Sequence, residues 1–213
     1  MHSKFLNLEN QPVSLYGGKT NAAVIDTERS IIPIGQDILY AAGNRAKTAF
    51  LPEGEKAASV ACCANFYTAL SKSGRVFRAE SSNELSYEEV EELRGKEIIE
   101  VSGVDNHCFA VCWCNHLGAP LCLSKNVRRA NKLTKVASIE KYRIKEAYAC
   151  YNHSLFLTEE GKVLACGGNR YGELLLDRCD DDEVIFTPVE TIIESGASFC
   201  IAGYLVSAVF VGE

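Results

Sequence analysis

His153-Ser-Leu-Phe-Leu-Thr-Glu-Glu-Gly161-Lys-Val-Leu-Ala-Cys-Gly167-Gly-Asn169-Arg-Tyr-Gly172-Glu-Leu174 holds two apolar runs separated by a short polar turn. Such a pattern marks a β-hairpin, and Gly161 in the turn frees the backbone for positive φ. The hairpin is preceded by Ile144-Lys-Glu-Ala-Tyr-Ala-Cys-Tyr-Asn152, and 46 residues earlier Ile98-Ile-Glu-Val-Ser-Gly-Val-Asp-Asn106-His107-Cys-Phe-Ala-Val111 repeats its Ile, Glu, Asn and His.

The frame extends in both directions. Val60-Ala-Cys-Cys-Ala-Asn-Phe66-Tyr-Thr-Ala-Leu70 keeps the Asn and the apolar pattern with Phe66 in the His place. Asn21-Ala-Ala-Val-Ile25 and Leu205-Val-Ser-Ala-Val209 fit near the two ends. The His-equivalent positions are then 21, 66, 107, 153 and 205, spaced by 45, 41, 46 and 52. After Leu70 comes a turn with Gly74 and the run Val76-Phe77, and after Ile25 comes Asp-Thr-Glu-Arg-Ser-Ile31. A hairpin at this period, with several strands per unit, points to propeller blades rather than helical repeats, whose long 3.6-residue periodicity is absent. Ser86 to Arg94 is the one expected helix, with Tyr87, Val90 and Leu93 on one face.

The stretch from His153 to Leu174 resembles the repeat of the regulator of chromosome condensation family, which runs His-Ser, strand, turn Gly, strand, Trp-Gly, Asn, Gly, Gln-Leu-Gly. Cys166 stands in the Trp place, Glu173 in the Gln place and Leu175 where the final Gly would be. The unit after Asn106-His107 keeps its strand but lacks the Gly-Asn-Gly tail. Pro188-Val189 to Ile193 and Lys135-Val136 to Ile139 resemble the strand that opens each repeat. The resemblance implies an all-β chain and a β-propeller, seven-bladed in complete members and here incomplete, with about four blades of antiparallel strands. The expected organisation is a tail over 1–12 and one partial propeller over 13–213, with hairpins near 21–35, 66–78, 107–123, 153–167 and 205–211. The repeat positions are His107, His153, Asn106, Asn152, Gly74, Gly161, Gly167, Asn169 and Gly172. An open ring exposes strand edges. It is a truncated family copy, pairs with itself or another half as a homodimer completing the propeller, or closes as a smaller ring.

Composition excludes several functions. The net charge of -6 disfavours nucleic acid and anionic membrane, which attract basic surfaces. Arg128, Arg129, Lys132 and Lys135 form the one basic cluster and read as a solvated loop, with a partner patch as the alternative. No apolar run has the length of a signal peptide or of a membrane span, so the expected location is the cytoplasm, with the nucleus as the alternative. The 10 cysteines sit among apolar neighbours and read as reduced core residues.

No residue set is expected to be catalytic. His107 and His153 recur at equivalent strand positions, so they read as structural rings that pin backbone. Cys108, Cys112, Cys114 and His116 share one face of an extended strand, with Cys122 beyond. One straight strand cannot wrap a tetrahedral zinc, so no metal is expected. Asp177, Asp180, Asp181, Asp182 and Glu183 lack the calcium-loop order and read as a solvated or partner-facing loop. Gly167 to Gly172 lacks the Lys-Ser/Thr of a phosphate loop, and no cofactor is expected. The expectation is a non-enzymatic scaffold that binds a protein partner through loops near 36–56, 79–97, 123–143 and 173–191. The resemblance also raises a guanine-nucleotide exchange factor for a small GTPase, and a non-functional copy, as alternatives.

Overall fold

In the computed structural model, residues 8–18, 21–35, 48–80, 85–104, 107–114, 117–126, 129–135, 137–177, 184–193, 195–203 and 205–212 are described. The chain divides into two compact units, Met1–Asn106 and His107–Glu213.

The first unit begins with β1 (Pro12–Gly17), β2 (Asn21–Asp26) and β3 (Ile31–Gly35), paired antiparallel in that order. A second sheet follows in the order β4 (Ala57–Cys62), β5 (Phe66–Ser71), β6 (Val76–Glu80) and β7 (Glu88–Glu89). β8 (Ile98–Val104) is the last strand of the unit. The second unit opens with β9 (His107–Cys114), β10 (Leu117–Asn126) and β11 (Arg129–Lys135), paired in order. Then come β12 (Ile144–Ala149), β13 (His153–Thr158), β14 (Val163–Gly168) and β15 (Val184–Glu190), which form a four-stranded sheet in sequence order. The hairpin of β16 (Ala197–Ala202) and β17 (Ser207–Val211) completes it.

The repeat is legible in the backbone hydrogen bonds. The turn from first to second strand is closed by Gly18, Cys63, Cys150 and Gly203 N–H groups, which donate to the carbonyls of Asn21, Phe66, His153 and Val206 at 2.8, 2.9, 3.0 and 2.8 Å. The last of these puts Val206, one residue past Leu205, in the His-equivalent place. The turn from second to third strand is also one device used three times. The Asp26, Ser71 and Thr158 side chains accept from the N–H of Ser30, Arg75 and Lys162. The residue before each of those, Arg29, Gly74 or Gly161, has positive φ, at 62°, 85° and 76°. A bulge recurs at the head of four first strands, at Pro12/Ser14, Ala57/Ser59, Ile144/Glu146 and Ala197/Phe199, where it bends the strand.

These strands bury both faces. All six residues of β13 are buried. Phe156 faces Phe109, Val111, Ile144 and Ala147, with the Phe109 and Phe156 rings edge to face at 5.1 Å. Leu155 and Leu157 face the other way, onto Leu174, Ala197 and Cys200. β13 therefore lies between the β9 and β16 sheets, and each large side chain so buried contributes about 1.5–3 kcal/mol. In the first unit Ala23, Ile25 and Ile31 pack on Val60, Tyr67, Ala69 and Phe77 in the same way.

The helix expected over 86–94 does not form. Glu88–Glu89 pairs with β6, Val90 N–H donates to the Val76 carbonyl at 2.8 Å, and only a single 3-10 turn follows at Glu91–Leu93. Tyr87, Val90 and Leu93 are buried as the periodicity required, but an open sheet edge supplies backbone partners that outweigh helix formation in so short a segment. Thr191 N–H meets the Val163 carbonyl likewise, at 3.0 Å, and Ala49 pairs with Ile31.

Candidate functional site

The densest polar arrangement surrounds the turns at one end of β13 and β14. His153 is buried, with Nδ1 3.1 Å from Asn152 Oδ1 and Nε2 2.8 Å from Ser207 Oγ. Asn152 Nδ2 donates to Glu173 Oε1 at 3.1 Å, which turns its Oδ1 toward the ring. Nδ1 therefore carries the proton, and Nε2 accepts from the Ser207 hydroxyl. Burial holds His153 below its usual range, outweighing the Glu173 carboxylate that pulls the other way, so the ring is neutral near pH 7.

Glu173 is buried as well. Burial pushes its carboxyl up, but the Asn152 amide, the backbone N–H groups of Glu173 and Tyr171, and His153 together hold it below the usual range. Its Oε2 accepts from Tyr171 N–H at 2.8 Å. Asn169, also buried, accepts from Leu174 N–H at 3.0 Å through Oδ1, and Gly172 N–H donates to the Asn169 carbonyl at 3.2 Å. Gly168 N–H donates to the Asn152 carbonyl at 2.8 Å. Gly167 has φ +114°, and a Cβ there would stand 2.3 Å from that carbonyl oxygen. Only glycine lets the two turns approach so closely.

The result is a turn fixed from within. Its tip carries Arg170 and Tyr171, both exposed, with the guanidinium 5.7 Å from the ring centroid. The buried carboxylate, amides and ring bond to one another, to the Ser207 hydroxyl and to the Tyr171 and Leu174 N–H groups, which fixes the backbone beneath the tip.

Eight of the nine repeat positions lie among the described residues. Asn152, His153, Gly167, Asn169 and Gly172 converge on the one turn. Gly161 and Gly74 serve hairpin turns elsewhere, and a Cβ on Gly161 would stand 2.8 Å from Gly196 N. His107 lies apart from the turn, with Nε2 3.4 Å from Ser154 Oγ. That serine follows His153 as Ser207 follows Val206, so each ring reaches the serine after the next His-equivalent place. Asn106 lies outside the described residues, as do Arg128, His116 and Asp180 to Glu183. The side chains of Arg129, Lys132, Lys135, Cys114 and Cys122 lie outside them too.

Cys108 and Cys112 are buried on β9. Cys112 is disulfide-bonded, which corrects the reading of all cysteines as reduced. Cys108, Cys150, Cys166 and Cys200 are not in disulfides, Cys62 and Cys63 are buried, and burial pushes Cys150 up to about 12 and Cys166 and Cys200 up to about 11. Among the described residues, no group of three or more His, Cys, Asp or Glu could hold a metal ion. Among them also, no helix is long and apolar enough to cross a membrane.

Residues 149–173 match the regulator of chromosome condensation (RCC1) repeat, the stretch that builds this turn. No curated protein matches the chain. Among solved structures, Prp20p of Saccharomyces cerevisiae, reported with its binding properties to Gsp1p and histones, superposes with a TM-score of 0.76 at 15% identity, covering 94% of this chain and 55% of that one. Kap60 bound to yeast RCC1 (Prp20) gives 0.74 at 17%, covering 94% and 54%. Human WBSCR16 gives 0.72 at 12%, covering 93% and 57%. The chain thus spans about half the length of these structures. Its fold is that of an incomplete all-β propeller of this type, with about four blades of antiparallel strands.

Proposed function

From a chain that carries one regulator of chromosome condensation repeat on an incomplete propeller fold, we propose a non-enzymatic scaffold that binds a protein partner through its rim turns. The observation that carries this reading is the Arg170–Tyr171 tip, exposed and stacked on a turn whose backbone is held by buried Glu173, Asn152 and Asn169. Tyr and Arg dominate binding hot spots, and a tip already ordered loses little entropy on association. His153, Asn152, Gly161, Gly167, Asn169 and Gly172 then act by holding the turns, as do His107 and Gly74 in their own sheets. Asn106 is assigned the same part by its place in the repeat.

The net charge of -6 suits a partner with a basic surface. The similarity to Prp20p makes histones and small GTPases the proteins to try first, in the cytoplasm or the nucleus. Immobilised chain is exposed to purified histones and to a panel of small GTPases. Saturable capture by the wild type, reduced at least tenfold in Arg170→Ala/Tyr171→Ala with the melting temperature unchanged, is the expected result. Equal capture by the variant refutes the assigned surface. Nucleotide release by the same GTPases tests the exchange-factor alternative, and no acceleration is expected.

A further inference from the structure

Charges at the hairpin turns of the first unit fall into two groups. In one, every carboxylate is taken. Arg75 Nη1 reaches Glu53 at 2.7 Å and Glu55 at 3.4 Å, its Nη2 reaches Glu89 at 2.7 Å, and Arg94 adds a second bond to Glu89. Ser73 also donates to Glu55, at 2.7 Å. The other group is Arg29, Lys56 and Lys72, none of which has an ion pair among the described residues. Backbone bonds bring these three together. Ala57 N–H donates to the Arg29 carbonyl at 3.1 Å, and Lys72 N–H donates to the Lys56 carbonyl at 2.8 Å, one rung beyond the Ala57–Ser71 pair. Lys56 Nζ donates to the Glu28 carbonyl at 3.0 Å, which sets the ammonium beside Arg29. Both lysines are exposed and Arg29 is half-buried.

Each of the three is locally unfavourable. Arg29 stands at φ 62° in the turn place that Gly74 and Gly161 fill elsewhere. Lys56 and Lys72 lie opposite each other across two antiparallel strands, an arrangement that like charges disfavour. Asp26, the nearest buried carboxylate, is occupied by Ser30 N–H and Asn10 Nδ2. Local choices ordinarily agree with the fold, and costs that converge without a compensating contact point to a site. Three positive charges here face one exposed carboxylate, that of Glu28. The surplus of two matches a phosphate monoester, which carries a charge of about -1.5 to -2 at pH 7.

We propose that Arg29, Lys56 and Lys72 receive the phosphate of a phosphorylated serine or threonine side chain on a protein partner. Arg29 supplies a planar fork for two phosphate oxygens, and the lysines supply point charges. The site is open, so a free phosphate would stay largely hydrated, whereas a peptide adds contacts on either side. A nucleic acid would carry its next phosphates onto exposed Glu28 and Glu53, in a chain of net charge -6. The site belongs to the first unit and does not depend on the Arg170–Tyr171 reading, which belongs to the second.

Fluorescence polarisation of the full chain with a labelled glycine–alanine heptapeptide holding one central phosphoserine tests it. The expected result is saturable binding, about tenfold tighter than that of the same peptide with serine, and weakened by added salt. Arg29→Gly weakens it about tenfold while raising the urea midpoint, so unfolding cannot account for the loss. Lys72→Ala weakens it about threefold, and Lys96→Ala, at an exposed lysine of the same unit, binds as the wild type does. Equal binding of the serine and phosphoserine peptides, or an Arg29→Gly variant that binds as the wild type does, overturns the proposal. Inorganic phosphate that displaces the peptide at equal concentration overturns the peptide source, and a DNA duplex that binds more tightly than the peptide overturns the protein partner.

Discussion

Gly167→Ala puts a Cβ 2.3 Å from the Asn152 carbonyl oxygen and 2.5 Å from His153 Cα, at φ +114°. Two costs add. A side chain at positive φ costs about 1–2 kcal/mol, and forcing an atom into packed backbone costs about 1–3 kcal/mol. The strained atoms belong to the peptide that positions His153 and Asn152, so no flexible tip can yield. A loss of about 3–4 kcal/mol follows, or a melting temperature lower by about 10 °C for a chain of this size. Gly74→Ala supplies the comparison. Its φ is +85°, but the nearest atom is the Ile98 carbonyl oxygen at 3.8 Å, so only the backbone cost of about 1–2 kcal/mol remains. Gly168→Ala lacks positive φ and meets first the Asn152 side-chain nitrogen at 2.9 Å, which can shift at a cost of about 1 kcal/mol in its bond to Glu173. Thermal melts of the three variants by circular dichroism check the order. A Gly167→Ala melt within about 2 °C of Gly74→Ala refutes the close approach of the turns.

Arg29 occupies at φ 62° the turn place that Gly74 and Gly161 fill elsewhere, so Arg29→Gly stabilises the first unit by about 1 kcal/mol in urea unfolding. Asp26→Ala removes the acceptor of Ser30 N–H, and of Asn10 Nδ2 at 2.9 Å, and costs about 1–2 kcal/mol by the same method. His153→Phe, which copies Phe66 of the second sheet, orphans Ser207 and Asn152 at a cost of about 1–3 kcal/mol, less than His153→Ala, which also opens a cavity. His153 further confers a pH dependence. Its folded pKa lies below the unfolded value of 6.5, so its contribution is complete above pH 6.5 and is lost as pH falls through the folded pKa. Urea midpoints should drop between pH 7.5 and 5.5 in the wild type and less in His153→Phe; equal drops contradict the buried neutral ring.

Hairpins were readable because period-two apolar runs and turn glycines are local. Strand β13 and the turn at Gly161 needed nothing beyond nearest neighbours in sequence. The recurrent turn at Arg29 was hidden because its positive φ is imposed by Asp26 capping Ser30 and not by a glycine. The short strand at Glu88–Glu89 was hidden because a helical spacing of Tyr87, Val90 and Leu93 also satisfies an edge strand followed by one tight turn. At the candidate site, Asn152 and His153 declared themselves by repetition, and Gly167 by its place in the family pattern. Glu173 was visible only as a substituted Gln place, and its burial depends on a long-range closure. Ser207 came into view only when the last hairpin shifted the His-equivalent place to Val206, since one residue of register decides which face a side chain takes. Arg170 and Tyr171 carry no repeat signal, because both are exposed and the packing of the blade does not constrain them.

Buried Glu173, Asn152 and Asn169 hold the Arg170–Tyr171 turn rigid in the free chain. Amide hydrogen exchange of the free chain reads this directly at Gly168, Tyr171 and Leu174, whose N–H groups are bound to Asn152, Glu173 and Asn169. Protection comparable to that of β13 is the predicted result, while exchange at the rate of an open loop contradicts the account.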